Sequence, residues 1–157
     1  MKVQLLLVGK TTHDFVRNGM DEYAGRLKHY LPFEWETIPD IRNTRNFTFD
    51  QMKEKEGETL LKYIQPDDWV ILLDEHGREY TSMEFAGYME KKMLASPKRL
   101  LFIIGGPYGF SNKIYAAARE KISLSKMTFS HQLVRLIFME QLYRAMTILS
   151  NQPYHHE

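Results

Sequence analysis

"DWVILLD", residues 68–74, and "RLLFIIGG", residues 99–106, decide the fold. Each carries an unbroken apolar run, Trp69 to Leu73 and Leu100 to Ile104, with none of the polar alternation of a sheet that keeps one wet face. A strand that is apolar on both sides must be covered on both sides, which is the condition of a parallel sheet between two layers of helices. "KVQLLLV" (2–8) reads as a further buried strand, and "FEWETI" (33–38) as a more exposed one.

Between these strands the period changes to that of a helix. Val16, Met20, Tyr23, Leu27 and Leu31 recur at three- and four-residue spacing across 12–31,. Residues 41–48 form a polar loop. A helix follows over 49–64, and Lys53, Glu54, Lys55, Glu56 and Glu58 read as its solvated face,. Thr81 and Glu84 stand at capping-box spacing at the head of a helix over 81–94,. Ser111 can cap a short helix over 112–120, "KISLS" (121–125) reads as a last strand, and the final helix runs over 131–149. Strand followed by helix, five times, predicts an α/β fold: a mostly parallel sheet with helices on both faces, in one domain over 1–157.

Composition narrows the function. The 21 Lys and Arg against 20 Asp and Glu give a net charge of +1, which argues against a basic coat for indiscriminate nucleic-acid binding,. The chain has no cysteine, so a disulfide framework, a thiolate metal site and a Cys nucleophile are excluded,. The apolar start "MKVQLLLVGK" is too short for a signal peptide and reads as the first strand,. No apolar run approaches the ~18 residues of a membrane span.

Three stretches can carry chemistry. In "FIIGGPYGFS" (102–111), Gly105 and Gly106 follow a buried strand at the edge where open α/β sheets bind ligands,. The spacing is neither a dinucleotide fingerprint nor a P-loop. The stretch suits a ligand cradle and a plain tight turn equally. "SLSKMTFSH" (123–131) offers hydroxyls and a thioether, or simply a cap for the last helix through Ser130. The tail "NQPYHHE" is a frayed end or a source of Tyr154 and His155 for chemistry,. The histidines lack metal-ligand spacing, so no metal is expected. Asp74 and Glu75 read as the start of a turn at His76–Gly77. The last helix is apolar over more than one stripe, from Leu133 to Leu149, so a second face must be covered,. A second copy of the chain, docked through Ile137 or Met139, is the expected cover, with Arg135 and Arg144 beside it.

Taken together, "LLVGK", "KEGE" (55–58), "LLDEHG" (72–77), "FIIGGPYG", "LSKMTFSHQLVRLIFMEQLYRA" and "PYHHE" resemble, along the whole chain and in order, the bacterial 23S rRNA pseudouridine-N3 methyltransferases of the SPOUT class. The resemblance implies S-adenosyl-L-methionine as methyl donor, a homodimer through the C-terminal helix, and a C-terminal trefoil knot, which generic topology rules would not produce. It also implies a cytoplasmic enzyme acting on 23S rRNA in the assembled ribosome. Carried over by position, the donor would be held by Leu73, Gly105, Leu124, Ser125, Lys126, Met127, Thr128 and Phe129. Tyr154, His155 and Arg135 are the candidate catalytic residues, with His131 a further possible proton acceptor. Ser130 stands where the family usually has proline, and His156 where it usually has arginine. The residues by themselves also suit a small-molecule methyltransferase or a non-catalytic RNA-binding module.

Overall fold

The computed structural model describes residues 1–42 and 44–156. Its elements follow the expected alternation: β1 (Lys2–Val8), α1 (Asp14–Leu27), β2 (Phe33–Ile38), α2 (Phe49–Leu61), β3 (Asp68–Glu79), α3 (Ser82–Ala95), β4 (Arg99–Ile104), α4 (Asn112–Ala117), β5 (Glu120–Ser123) and α5 (Leu133–Leu149). The strands pair in the order β2-β1-β4-β3-β5, and every pairing is parallel. The apolar runs are central, as their chemistry requires. All six residues of β4 are buried.

Side-chain alternation splits the sheet between two cores. Val3, Leu5, Leu7, Leu100 and Phe102 pack under α1, α3 and α5. Leu6, Val8, Leu101 and Ile103 pack under α2 and α4, against Leu60 and Ile114. The capping box at Thr81 and Glu84 forms, and Thr48 with Gln51 makes a second one at the start of α2. Ser111 caps α4 by accepting from the Ile114 N–H.

Two sequence readings change. β3 does not end at Asp74 in a turn but continues to Glu79. Its pairing with β5 slips between Leu73 and Arg78, both of which face Ile122. The intervening residues bulge, and Gly77 is needed there because a Cβ would lie 2.6 Å from the Ile122 backbone,. The second correction concerns α5. It contacts both α1 and α3, so much of its apolar surround belongs to its own chain. Met139 is fully buried in the chain's own core, with Phe138 and Leu142. Ile137 is half-buried and stands outside that core cluster, so it is the one of the two expected contact residues still open to a partner.

At the amino edge of the sheet a buried ion pair joins three strands. Arg99 donates from Nε to Asp68 Oδ1 at 2.8 Å and also pairs with Asp68 Oδ2. It further donates to Gln4 Oε1 at 2.8 Å and to the Tyr63 carbonyl at 2.8 Å. Asp68→Ala leaves this guanidinium buried without its counter-ion, and should cost about 3–5 kcal/mol of unfolding free energy in urea titration.

Candidate functional site

The carboxyl ends of β4 and β3 leave a hollow that the chain itself roofs. After β5, at one edge of the sheet, residues 124–132 cross over the ends of β3 and β4 to reach the end of β1. Two side chains fix the landing. Gln132 accepts from the Thr12 N–H at 2.8 Å and donates to the Lys10 carbonyl at 3.0 Å. Arg135, 1% exposed, donates to the Val8 carbonyl and to Thr11 Oγ1, both at 2.7 Å. Within the crossing, Ser125 Oγ accepts from the Met127 N–H at 2.9 Å, and Ser130 Oγ accepts from the Leu133 N–H at 3.1 Å.

The space beneath is a cavity of about 800 Å³. Leu73, Gly105 and Leu124 through Phe129 all line it, so three separate pieces of sequence meet at one place. Ile104, Ile122 and Val134 add apolar wall, and Asp74, Glu75 and Glu79 stand along the β3 side. Its volume and mixed lining suit a ligand of nucleoside size. His131 also lines it. Asp74 is engaged rather than available: it accepts from the Tyr115 hydroxyl and from the His76 N–H.

The glycine turn is built around a residue read from sequence as solvated. Glu56 is 4% exposed and accepts from the Gly106 N–H at 3.0 Å. A Cβ on Gly106 would lie 2.8 Å from the Glu56 carboxylate, and one on Gly105 would lie 2.9 Å from the Phe110 ring. Both glycines are therefore places where a side chain has no room. Burial raises the Glu56 carboxyl above its ordinary 4.5, the Gly106 hydrogen bond opposes this, and the nearby Asp40 charge adds to the rise,. The signal for Glu56 in the sequence was weak. It lies beside Gly57 on the inner side of α2, but in a run of five charged or acidic positions.

Arg135 and the tail are not placed in the cavity lining. Arg135 holds α5 to β1 and stands in the core. The tail is docked rather than frayed. Tyr154 donates to Glu140 Oε1 at 3.0 Å, lies 3.1 Å from the Tyr23 hydroxyl, and packs edge-on against Tyr143 at 4.8 Å between centroids. His155 Nδ1 lies 3.1 Å from Arg144. Burial raises the Tyr154 phenol, with the Tyr23 hydrogen bond and Glu140 adding to it, so it keeps its proton at neutral pH. These contacts centre on residues 140–144. The cavity meets α5 at Val134, so the tail sits roughly 12 Å further along the helix, at about 1.5 Å per residue. Among the described residues no helix is long and apolar enough to cross a membrane, and no group of three or more His, Asp or Glu could hold a metal.

Comparison with known proteins gives consistent matches. A family model described as predicted SPOUT methyltransferase matches residues 1–155. Three relatives each carry the name ribosomal RNA large subunit methyltransferase H. They come from Parabacteroides distasonis, 61% identical, Bacteroides fragilis, 58%, and Porphyromonas gingivalis, 52%, each over 100% of both chains.

A raised carboxyl binds more protons folded than unfolded, so its contribution to stability falls as pH rises past the ordinary carboxylate value. Glu56→Gln keeps an acceptor for Gly106 and removes that titration. Its unfolding free energy relative to the unsubstituted protein should therefore improve from pH 4 to pH 8 in denaturant titrations, whereas Glu56→Leu, which has no acceptor, should lose about 1–3 kcal/mol throughout.

Proposed function

The chain belongs to the SPOUT methyltransferase family, and from that premise we propose that it uses S-adenosyl-L-methionine to methylate N3 of a pseudouridine in 23S rRNA of the assembled ribosome. The family makes it a methyltransferase, with a methyl-donor cofactor, and carries with it the C-terminal trefoil knot. The observation that supports the finer reading is the convergence of Leu73, Gly105 and Leu124–Phe129 on one cavity beneath the crossing segment.

Leu73, Leu124 and Phe129 would hold the donor's apolar parts, and the backbone around Gly105 and Ser125 its polar edge. When bound, the donor supplies an electrophilic methyl group on a sulfonium. The protein must then bring the ring nitrogen close and accept its proton. Tyr154 keeps its own proton, which it donates to Glu140, and so would act by presenting its ring and ordering the tail. His155 supplies an imidazole, the side chain most used for proton transfer. Arg135 is a positioning residue that fixes the end of the crossing segment.

The tail lies along the middle of its own α5, so in this reading it serves the cavity of a second copy. The half-buried Ile137 and the apolar residues around it would form the homodimer contact. A nearly neutral protein that reads an assembled particle belongs with the ribosome in the cytoplasm, and its net charge of +1 supports that over indiscriminate RNA binding,.

Ribosomes lacking the modification, incubated with labelled S-adenosyl-L-methionine and the protein, should gain label at one pseudouridine of 23S rRNA. Label elsewhere, or none, rejects the substrate. Gly105→Val should lower donor affinity at least tenfold by calorimetry, since the side chain displaces Phe110 at the cavity wall.

Ile137→Glu should sediment as a monomer that is folded but inactive, whereas Met139→Glu should fail to fold, because that position is in the chain's own core. A wild-type chain that sediments as a monomer at micromolar concentration overturns the dimer. Mixed with a Gly105→Val protein, a His155→Ala protein should recover activity if tails serve the partner's cavity.

A further inference from the structure

One pair of rings beside the cavity lies outside the three stretches expected to hold the donor. Phe49 is 72% exposed at the first position of α2, and Tyr108, on the glycine turn, is 36% exposed. Their centroids are 4.9 Å apart with the planes inclined by 33°. A single exposed aromatic is ordinary on a protein surface, but two packed together at the mouth of a ligand cavity form a continuous apolar step.

We propose that Phe49 and Tyr108 form a stacking platform for an unpaired nucleobase next to the one being methylated. This rests on the RNA substrate proposed above. Tyr108 itself lines the cavity, so a base laid on the step would be adjacent to whatever enters it. Unpaired RNA bases are recognised chiefly by stacking on aromatic side chains.

The two backbone segments that carry the rings are also fastened before any ligand arrives. Thr48 accepts from the Gln51 N–H at 3.1 Å and Gln51 accepts from the Thr48 N–H at 2.8 Å, which sets the backbone of the first turn of α2, where Phe49 stands. Two turns after Phe49, on the same helix, Glu56 accepts from the N–H of Gly106, two residues before Tyr108. The helix that carries one ring is thus fastened to the turn that carries the other. Pre-set backbone lowers the entropy lost on binding.

Charge selects RNA as the occupant. Arg45 lies four residues before Phe49, Lys53 four residues after it, and Lys126 projects from the roof of the cavity beside Met127, which is 78% exposed. Asp50 partly offsets Lys53, at 3.6 Å. Glu54 is exposed next to Lys53 on α2, and the acids that line the cavity itself, Asp74, Glu75 and Glu79, lie along β3. A phosphate backbone would accordingly run on the α2 side, over the rings.

The test is steady-state methylation of ribosomes lacking the modification, with donor affinity and sedimentation measured on the same proteins. Phe49→Ala should raise KM for ribosomes roughly tenfold, the size of one lost base–aromatic stack, with kcat, donor affinity and oligomeric state kept. Phe49→Leu should behave like Phe49→Ala, and Phe49→Trp like the wild type, because stacking needs a ring rather than apolar bulk. An unchanged KM in Phe49→Ala, or a Phe49→Leu protein equal to the wild type, overturns the platform while leaving the methyltransferase reading intact. A Phe49→Ala protein that sediments as a smaller species shows the rings to be covered by a second copy, and also overturns it. A wild-type protein that does not methylate the ribosomes rejects the RNA reading and the platform together.

Discussion

The structure depends on one constraint: its central strands are apolar on both faces. β4 is buried along its whole length, and β1 nearly so. Neither face can meet water, so helices must lie on both, and the chain has to pass repeatedly over the ends of the sheet to place them. The cavity arises from the same requirement. Parallel strands all present their carboxyl ends at one edge, and the connections that leave from that edge supply its walls.

What turns that edge into a roofed site is a small set of buried polar contacts. Gln132 and Arg135 fasten the crossing segment to residues 8–12, and Glu56 fastens α2 to the glycine turn. Each of these side chains is buried, and a buried polar group is tolerated only when its partners are in place. The roof, the wall and the helix beside the mouth are therefore set together. A site that must bring a methyl donor and its acceptor to near-attack distance benefits from being held in this way before either arrives.

The tail shows how the same side chain can be read in two ways. Tyr154 and His155 looked like a free end because the last five residues have no periodicity to dock as a helix or strand. They dock through individual contacts instead, to Tyr23, Glu140, Tyr143 and Arg144. That arrangement holds polar and aromatic groups against α1 and α5.

The sequence by itself determined the element order, the parallel and doubly covered character of the sheet, and the segments that would face a ligand. Apolar runs, helical periods and capping residues are local signals, and Thr81 with Glu84 or Ser111 could be read where they stood. The resemblance carried by "FIIGGPYG" and "LSKMTFSHQLVRLIF" added the family and pointed to residues that line one cavity. Only the tertiary structure decided that Glu56 is buried under Gly106 and not solvated, that Arg135 is a core anchor, that Met139 belongs to the chain's own core, and that β3 continues past Asp74 through a bulge at Gly77. In each case the deciding neighbour is remote in sequence: Gly106 for Glu56, Val8 for Arg135, Ile122 for Gly77. A charged residue in a charged run, or a glycine after a strand, carries no local mark of the atom it will meet. Burial and its hydrogen bonds are properties of the pair, and the pair exists only once the chain has folded.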